Sequence, residues 1–220
     1  MTRGIFIAGN ESALSRAIEA ETINRVEQFA AALIPNRLAE TIKVTEPNNG
    51  KRLSIEWNPS SPISARTLVV AAENRLDHID EAILICSPPG IQSNPSGLPF
   101  STVEIMINDH IKGWFFLVKE ITSVFKNRGS GTLALVYHDP PAAKDEPVDI
   151  LGPSALASFR ALTAGLLAGA HNESYMTVGF TSADNGNETA FASYIFKSID
   201  DLSKRSNGKL FKFGKFSFFK

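Results

Sequence analysis

The chain has 220 residues, with 22 Lys and Arg against 23 Asp and Glu, so its formal net charge is −1. This balance offers no basic footprint for nucleic acid or an anionic membrane, and 43% hydrophobic against 20% charged residues excludes a disordered chain. A single cysteine, Cys86, excludes an internal disulfide, and four scattered histidines beside one thiol argue against a zinc cage.

In chain order, Gly4–Gly9 reads as a short buried strand, with Ile5, Phe6, Ile7 and Ala8 in a row. Asn10, Glu11 and Ser12 open a helix. From Ala13 to Leu33 the apolar residues Leu14, Ala17, Ile18, Val26, Phe29, Ala30 and Leu33 recur at helical spacing, which predicts one helix stopped by Pro35. Thr41–Thr45 is a further strand, Asn48–Gly50 a turn, and Arg52–Trp57 an alternating strand. The serines of the loop at 58–62 can cap a helix over Ile63–Leu76. Ala82–Cys86 is a central strand ended by Ser87, Pro88, Pro89 and Gly90, and 91–100 is a loop. A long helix, Thr102–Asn127, breaks at Gly129–Gly131 before the strand Thr132–Tyr137. An acidic, Pro-rich loop at 139–150 precedes a small-residue helix, Pro153–Ala170. The strand Met176–Phe180, a helix Thr189–Lys204 and a last strand Lys209–Phe213 complete the pattern. Strands alternating with helices imply an α/β fold: one doubly wound domain over residues 1–220, with a parallel sheet of six or seven strands and helices on both faces. The two long loops follow strands, so they project from the carboxyl edge, where such sheets bind ligands. The N-terminal apolar run is too short for a signal peptide and no stretch of about 20 apolar residues occurs, so the expectation is a soluble, cytoplasmic protein without a membrane partner.

Several local segments carry a resemblance. Gly4–Ile18 lies where a Thr-Gly-x-x-x-Gly-x-Gly strand-to-helix turn would lie, and Ile79–Ile85 looks like an Ile-Asp-x-Leu-Val strand. Ser87-Pro88-Pro89-Gly90 sits where Asn-Asn-Ala-Gly would, and His110-Ile111-Lys112-Gly113-Trp114-Phe115 is similar to an Asn-x-x-Gly-x-Phe helix segment. Phe159–Ala168 looks like the stretch that follows a Tyr-x-x-x-Lys pair, and Glu188–Gly214 like a last helix and strand. In this order they resemble the short-chain dehydrogenase/reductase family over most of the chain, in a degenerate form. The resemblance implies a Rossmann-like fold and a site for NAD or NADP. The positions it assigns to the cofactor are Gly9, Asn10, Ser12, Leu14, Asn58 and Ser87.

The departures weigh more than the matches. Of the three glycines of the dinucleotide turn only Gly9 remains, with Ala13 and Ser15 at the other two positions and Asn58 at the family's adenine-side Asp. The resemblance places the family's catalytic asparagine, serine, tyrosine and lysine at His110, His138, Gly152 and Leu156. Gly152 has no proton to give and Leu156 no charge, so the family's acid catalysis has no machinery here. Only Thr181–Asn187 separates the sixth strand from the last helix, too few residues for a lid over substrate.

Other candidates are weaker. His110 and His138 could form a substitute acid/base pair; Tyr137 could be a substitute phenol, although it alternates with His138 across its strand. Cys86 reads as a core residue. Asp145 and Glu146 read as solvated loop carboxylates. Gly9-Asn10-Glu11-Ser12 could hold an anion at a helix N-terminus, against the like charge of Glu11. The tail alternates Lys209, Lys212, Lys215 and Lys220 with Phe211, Phe213, Phe216, Phe218 and Phe219; a buried strand with a terminal extension is preferred to single-strand nucleic-acid stacking. Two readings follow. The first is a non-catalytic structural or regulatory protein without a cofactor; the second is a divergent NAD(P)-dependent oxidoreductase. A homodimer or tetramer is expected through the helices at 102–127 and 153–170, the first with excess apolar surface that includes Phe115 and Phe116, the second with Phe159, Leu162 and Leu166 as knobs and Ala157, Ala161, Ala164, Gly165 and Ala168 allowing close approach.

Overall fold

The most buried runs of the sequence are too short for helices and lie side by side as strands. A computed structural model describes residues 3–34, 51–139, 149–184 and 186–214. The expectations for Thr41–Thr45, Asn48–Gly50, Asp145, Glu146, Phe216, Phe218 and Phe219 lie outside the described residues. The elements are β1 (Ile5–Asn10), α1 (Ala13–Ile23), β2 (Phe29–Ile34), β3 (Arg52–Ser54), α2 (Pro62–Leu76), β4 (Glu81–Cys86), α3 (Phe100–Ile107), α4 (Gly113–Arg128), β5 (Thr132–His138), α5 (Leu151–Gly169), β6 (Met176–Ser182), α6 (Glu188–Asp200) and β7 (Leu210–Phe213). A π-helical turn, Asn108–Lys112, joins α3 to α4.

The strands form one seven-stranded sheet in the order β3-β2-β1-β4-β5-β6-β7, and every pairing is parallel. Because successive side chains point to opposite faces, each central strand feeds two cores. Phe6, Leu84, Leu135 and Tyr137 pack with Leu68 of α2, Trp114 of α4 and Phe159 of α5. Ile7, Ile85, Val136 and Phe180 pack with Leu14 of α1 and Phe191 of α6. This is the doubly wound α/β architecture expected from the sequence. At the amino edge Arg3 pairs with Glu81 and with Asp200 (2.7 Å), while Arg25 takes the other Asp200 oxygen (2.5 Å), so β1, β4 and α6 are tied by charge.

One long helix from Ala13 to Leu33 is not formed. α1 ends at Ile23, with Asn24 as its C-cap, and Phe29–Ile34 is strand β2, between β1 and β3. Phe29, Ala30, Ala31 and Ala32 are covered on both faces of the sheet, so the run has no polar side and no alternation to reveal it. Alanine is a strong helix former, and here tertiary burial overrides that preference. Smaller boundaries shift too. β3 stops at Ser54, whose carbonyl accepts from Arg75, rather than at Trp57. α6 ends at Asp200 rather than Lys204. The helix expected over Thr102–Asn127 begins at Phe100 and is interrupted by the π turn. α5 begins at Leu151, two residues before Pro153. The predicted serine cap is present: the Ser61 hydroxyl accepts from the Ser64 amide at the start of α2. Gly129 ends α4 in the left-handed conformation (φ 75°).

The assignment of β2 has a direct stability consequence. Phe29 has no exposed surface, so Phe29→Ala should cost about 3–5 kcal/mol in urea unfolding. A loss below about 1 kcal/mol would mean that Phe29 is not in the core.

Candidate functional site

β1 sits between β2 and β4, so the winding of the sheet reverses there and opens a crevice over the carboxyl ends of those strands. Asn10 closes β1 on one side of this crevice and Ser87 follows β4 on the other.

The half above β1 is largely occupied with its own structure. Gly9 is needed by close packing within the sheet, since a Cβ there would lie 2.6 Å from the Ile85 carbonyl oxygen. The Glu11 amide donates to the Ile34 carbonyl (3.0 Å). Ser12 caps α1: its hydroxyl accepts from the Ser15 amide (3.1 Å), and the Ser15 hydroxyl accepts from the Ser12 amide (2.8 Å). Ser15, at the third-glycine position, is fully buried with its hydroxyl turned back onto the helix start. This capping box satisfies two of the amides that open the helix and does not involve those of Ala13 and Leu14. The Leu14 side chain is in the core. Asn58 is exposed and builds the turn into α2, its side chain accepting from the Ser60 amide (3.0 Å) and hydroxyl (2.7 Å). The Asn10 side chain is buried, with an oxygen that has no hydrogen-bond partner.

The half above β4 and β5 is closed more firmly. α5 opens with Leu151 and Gly152, and both amides donate to one Asp149 carboxylate oxygen, at 3.1 and 3.0 Å. The other oxygen lies 2.6 Å from where a Cβ on Gly152 would sit, and the Pro89 carbonyl oxygen is 3.1 Å from the same point. A side chain at position 152 would therefore press on the Asp149 carboxylate and crowd the Pro89 carbonyl. Leu156, which the resemblance set at the family's lysine, lies on α5 and packs against the core. Asp149 is the residue that sequence reasoning missed. Its signal was an Asp three residues before a glycine at a helix start, the spacing of a side-chain cap.

The two histidines do not meet. His138 lies against Phe191 of α6, with ring centroids 5.6 Å apart, on the α1/α6 face. His110 is buried in the π turn, in a helix that packs with α2 and α5 on the other face. No hydrogen bond reaches Nδ1 of His110 or either ring nitrogen of His138, although burial of His138 is opposed by upward pulls from Glu188, the Ser182 backbone and Asp184. Desolvation lowers both, His110 to about 4. Tyr137 faces Phe159 on the α5 side, away from His138, as strand alternation requires. Burial pushes its phenol up against a smaller downward pull from Arg160, which makes it a weaker acid. Cys86 is buried in the core, and desolvation raises its thiol. No cluster of metal-ligating side chains occurs among the described residues. A cavity of about 480 Å³ lined by Arg3, Gly4, Glu27, Asn74 and Asp77 lies at the amino edge, at the end of the sheet away from every candidate residue.

No family model matches the sequence, and no curated protein matches it. The backbone does match solved structures. An NADH-dependent reductase, A1-R′, crystallised with NAD, superposes with a TM-score of 0.69 at 15% identity, over 96% of this chain and 95% of that one. ElxO with NADP bound gives 0.73 at 10% identity, over 96% and 97%. A Serratia marcescens short-chain dehydrogenase/reductase variant gives 0.65 at 13%, over 96% and 95%. The chain has the short-chain dehydrogenase/reductase fold. At these identities the likeness is one of fold, and the site must be judged on its own residues. On that basis the description of the site rests on this chain's own residues, and the NAD and NADP belong to the neighbours. The turn keeps one glycine, the helix start is half closed by its own serines, and the tyrosine position is crowded from outside.

Buried, neutral His110 makes stability depend on pH. Its folded value of about 4 lies below the ordinary 6.5, so between these values the unfolded chain binds more protons. Stability should be fully present above pH 6.5 and fall as pH drops toward 4, by at most about 1.4 kcal/mol per pH unit from this group. His138 adds a fall of the same sign. Urea unfolding at pH 7 and pH 5 should show the loss, and His110→Asn should flatten it. An unchanged pH slope in that variant would mean that His110 is not held neutral.

Proposed function

We propose that this protein is a non-catalytic relative of the short-chain dehydrogenases, a pseudoenzyme that serves as a structural or regulatory oligomer. The observation that carries this reading is Gly152, held against the Asp149 carboxylate and the Pro89 carbonyl at the place of the family's proton donor. A general acid contributes about 10²–10⁴-fold to a rate, and neither of two described neighbours replaces it: Tyr137 is turned to the core side and Leu156 is apolar. The described chain also passes from Ser182 to Glu188 without an inserted helix that would cover a substrate.

The oligomer is a homodimer, or a tetramer built from it, through α4 and α5. Leu151–Asn172 is apolar and long enough to cross a membrane by composition, yet only 28% of its most apolar stretch is buried. It is not a membrane span in this reading, because Phe159, Thr163 and Leu167 are buried on the inner side of α5, within the domain. Its outer stripe of Ala157, Ala161, Ala164, Gly165 and Ala168 stays exposed, as does Phe115 on α4, at 51%. A second copy of the chain covers such a face without leaving apolar surface in water. Phe159, which the sequence suggested as a knob of this interface, does not face outward. It is 1% exposed, between Trp114 and Tyr137. The informative positions are Phe115 and Ala161.

Purified protein should neither oxidise NADH or NADPH with a panel of aldehydes and ketones nor reduce NAD or NADP with alcohols. Light scattering at micromolar concentration should give a dimer mass or a multiple of it. Phe115→Glu with Ala161→Glu should give a folded monomer. A monomeric wild type, or a dimer indifferent to both charges, removes this interface. The second reading, a divergent NAD(P)-dependent oxidoreductase, is favoured by the similarity to structures crystallised with NAD and NADP. Robust turnover by the wild type would decide for it.

A further inference from the structure

We infer that Asp149 is a built-in stopper, which keeps the nicotinamide end of a dinucleotide out of the crevice and leaves only the end above β1 accessible. The inference deepens the non-catalytic reading and rests on it for the identity of the crevice. Its basis is the way one short side chain joins α5 to the loop after β4. One Asp149 oxygen is held by the amides of Leu151 and Gly152 at 3.1 and 3.0 Å. The other lies 2.6 Å from the Cβ position at Gly152 and 3.6 Å from that at Gly90. The carboxylate thus stands between the first turn of α5 and the Pro89–Gly90 segment. It cannot swing aside without abandoning both amides, which would then be unpaired at a helix start.

A ligand ring placed between these two segments meets the carboxylate. Over β1 the described residues place no comparable carboxylate. There the capping box engages Ser12 and Ser15 but not the amides of Ala13 and Leu14. The two halves of the crevice are therefore unequal, and a ligand comprising only the adenosine, phosphate and ribose portion meets every contact that a full dinucleotide can reach. Gly152 is the counterpart of the stopper: with the carboxylate fixed, any other residue at 152 collides with it.

The test is titration calorimetry of NADH and ADP-ribose against the wild type, Asp149→Ala and Asp149→Ser, with thermal unfolding to confirm that each is folded. Serine retains a capping oxygen, so it stands in if the alanine variant does not fold. In the wild type, NADH should bind within about threefold of ADP-ribose, because the nicotinamide end adds no contact. Removing the carboxylate should tighten NADH by about tenfold or more and leave ADP-ribose unchanged. A wild type that prefers NADH over ADP-ribose by about tenfold would overturn the inference. So would a folded Asp149 variant that binds NADH no better than the wild type, including no binding at all. Turnover of NADH by the wild type would instead overturn the non-catalytic reading, so the two failures are distinguishable.

Discussion

The Asp149 carboxylate accepts from the first two amides of α5, and the chemistry available at the crevice depends on that contact. A helix start needs acceptors for its free amides, and an aspartate just ahead of it is an ordinary solution. Here the solution has a second effect. The carboxylate oxygen left over lies against position 152, so that position is glycine and carries no functional group. One local cap thus stabilises α5 and crowds position 152; in the function proposed above, that is where the family's proton donor would stand.

The surrounding architecture gives the contact its setting. Parallel strands buried on both faces bring the ends of β1 and β4 together, and α4 and α5 flank the same edge. Trp114, Phe159 and Tyr137 form a run of edge-to-face rings beneath it, with centroids 5.1 and 6.1 Å apart. This aromatic packing draws Tyr137 and Phe159 inward, away from solvent. It accounts for a phenol near the crevice that burial leaves a weaker acid. His138 is drawn in the opposite direction, onto Phe191. Tyr137 and His138 are therefore drawn toward opposite cores.

Much of the fold was legible in the sequence, because an apolar run such as Ala82–Cys86 between turn residues has few alternatives to a central strand. Phe29–Ile34 was not legible for the same physical reason taken further. It is alanine-rich and buried on both faces, and it follows a true helix in a phase that continues the helical count. The π turn was equally hidden, since an extra residue in a helical turn has no compositional mark. At the site, the departures at Gly152 and Leu156 were visible as substitutions. What replaces the lost side chain was not visible, because it depends on how Asp149 folds back onto its own helix. The same limit applied to Phe159, which helical spacing alone could not assign to the inner or outer side of α5.

The central claim is that the groups which would receive the nicotinamide end of a dinucleotide are already satisfied within the chain. Hydrogen exchange followed by mass spectrometry, with and without millimolar NAD, tests this at the amides themselves. The account predicts unchanged exchange at Leu151 and Gly152, whose partner is Asp149. Strong new protection at Leu151 and Gly152 on adding NAD would contradict it.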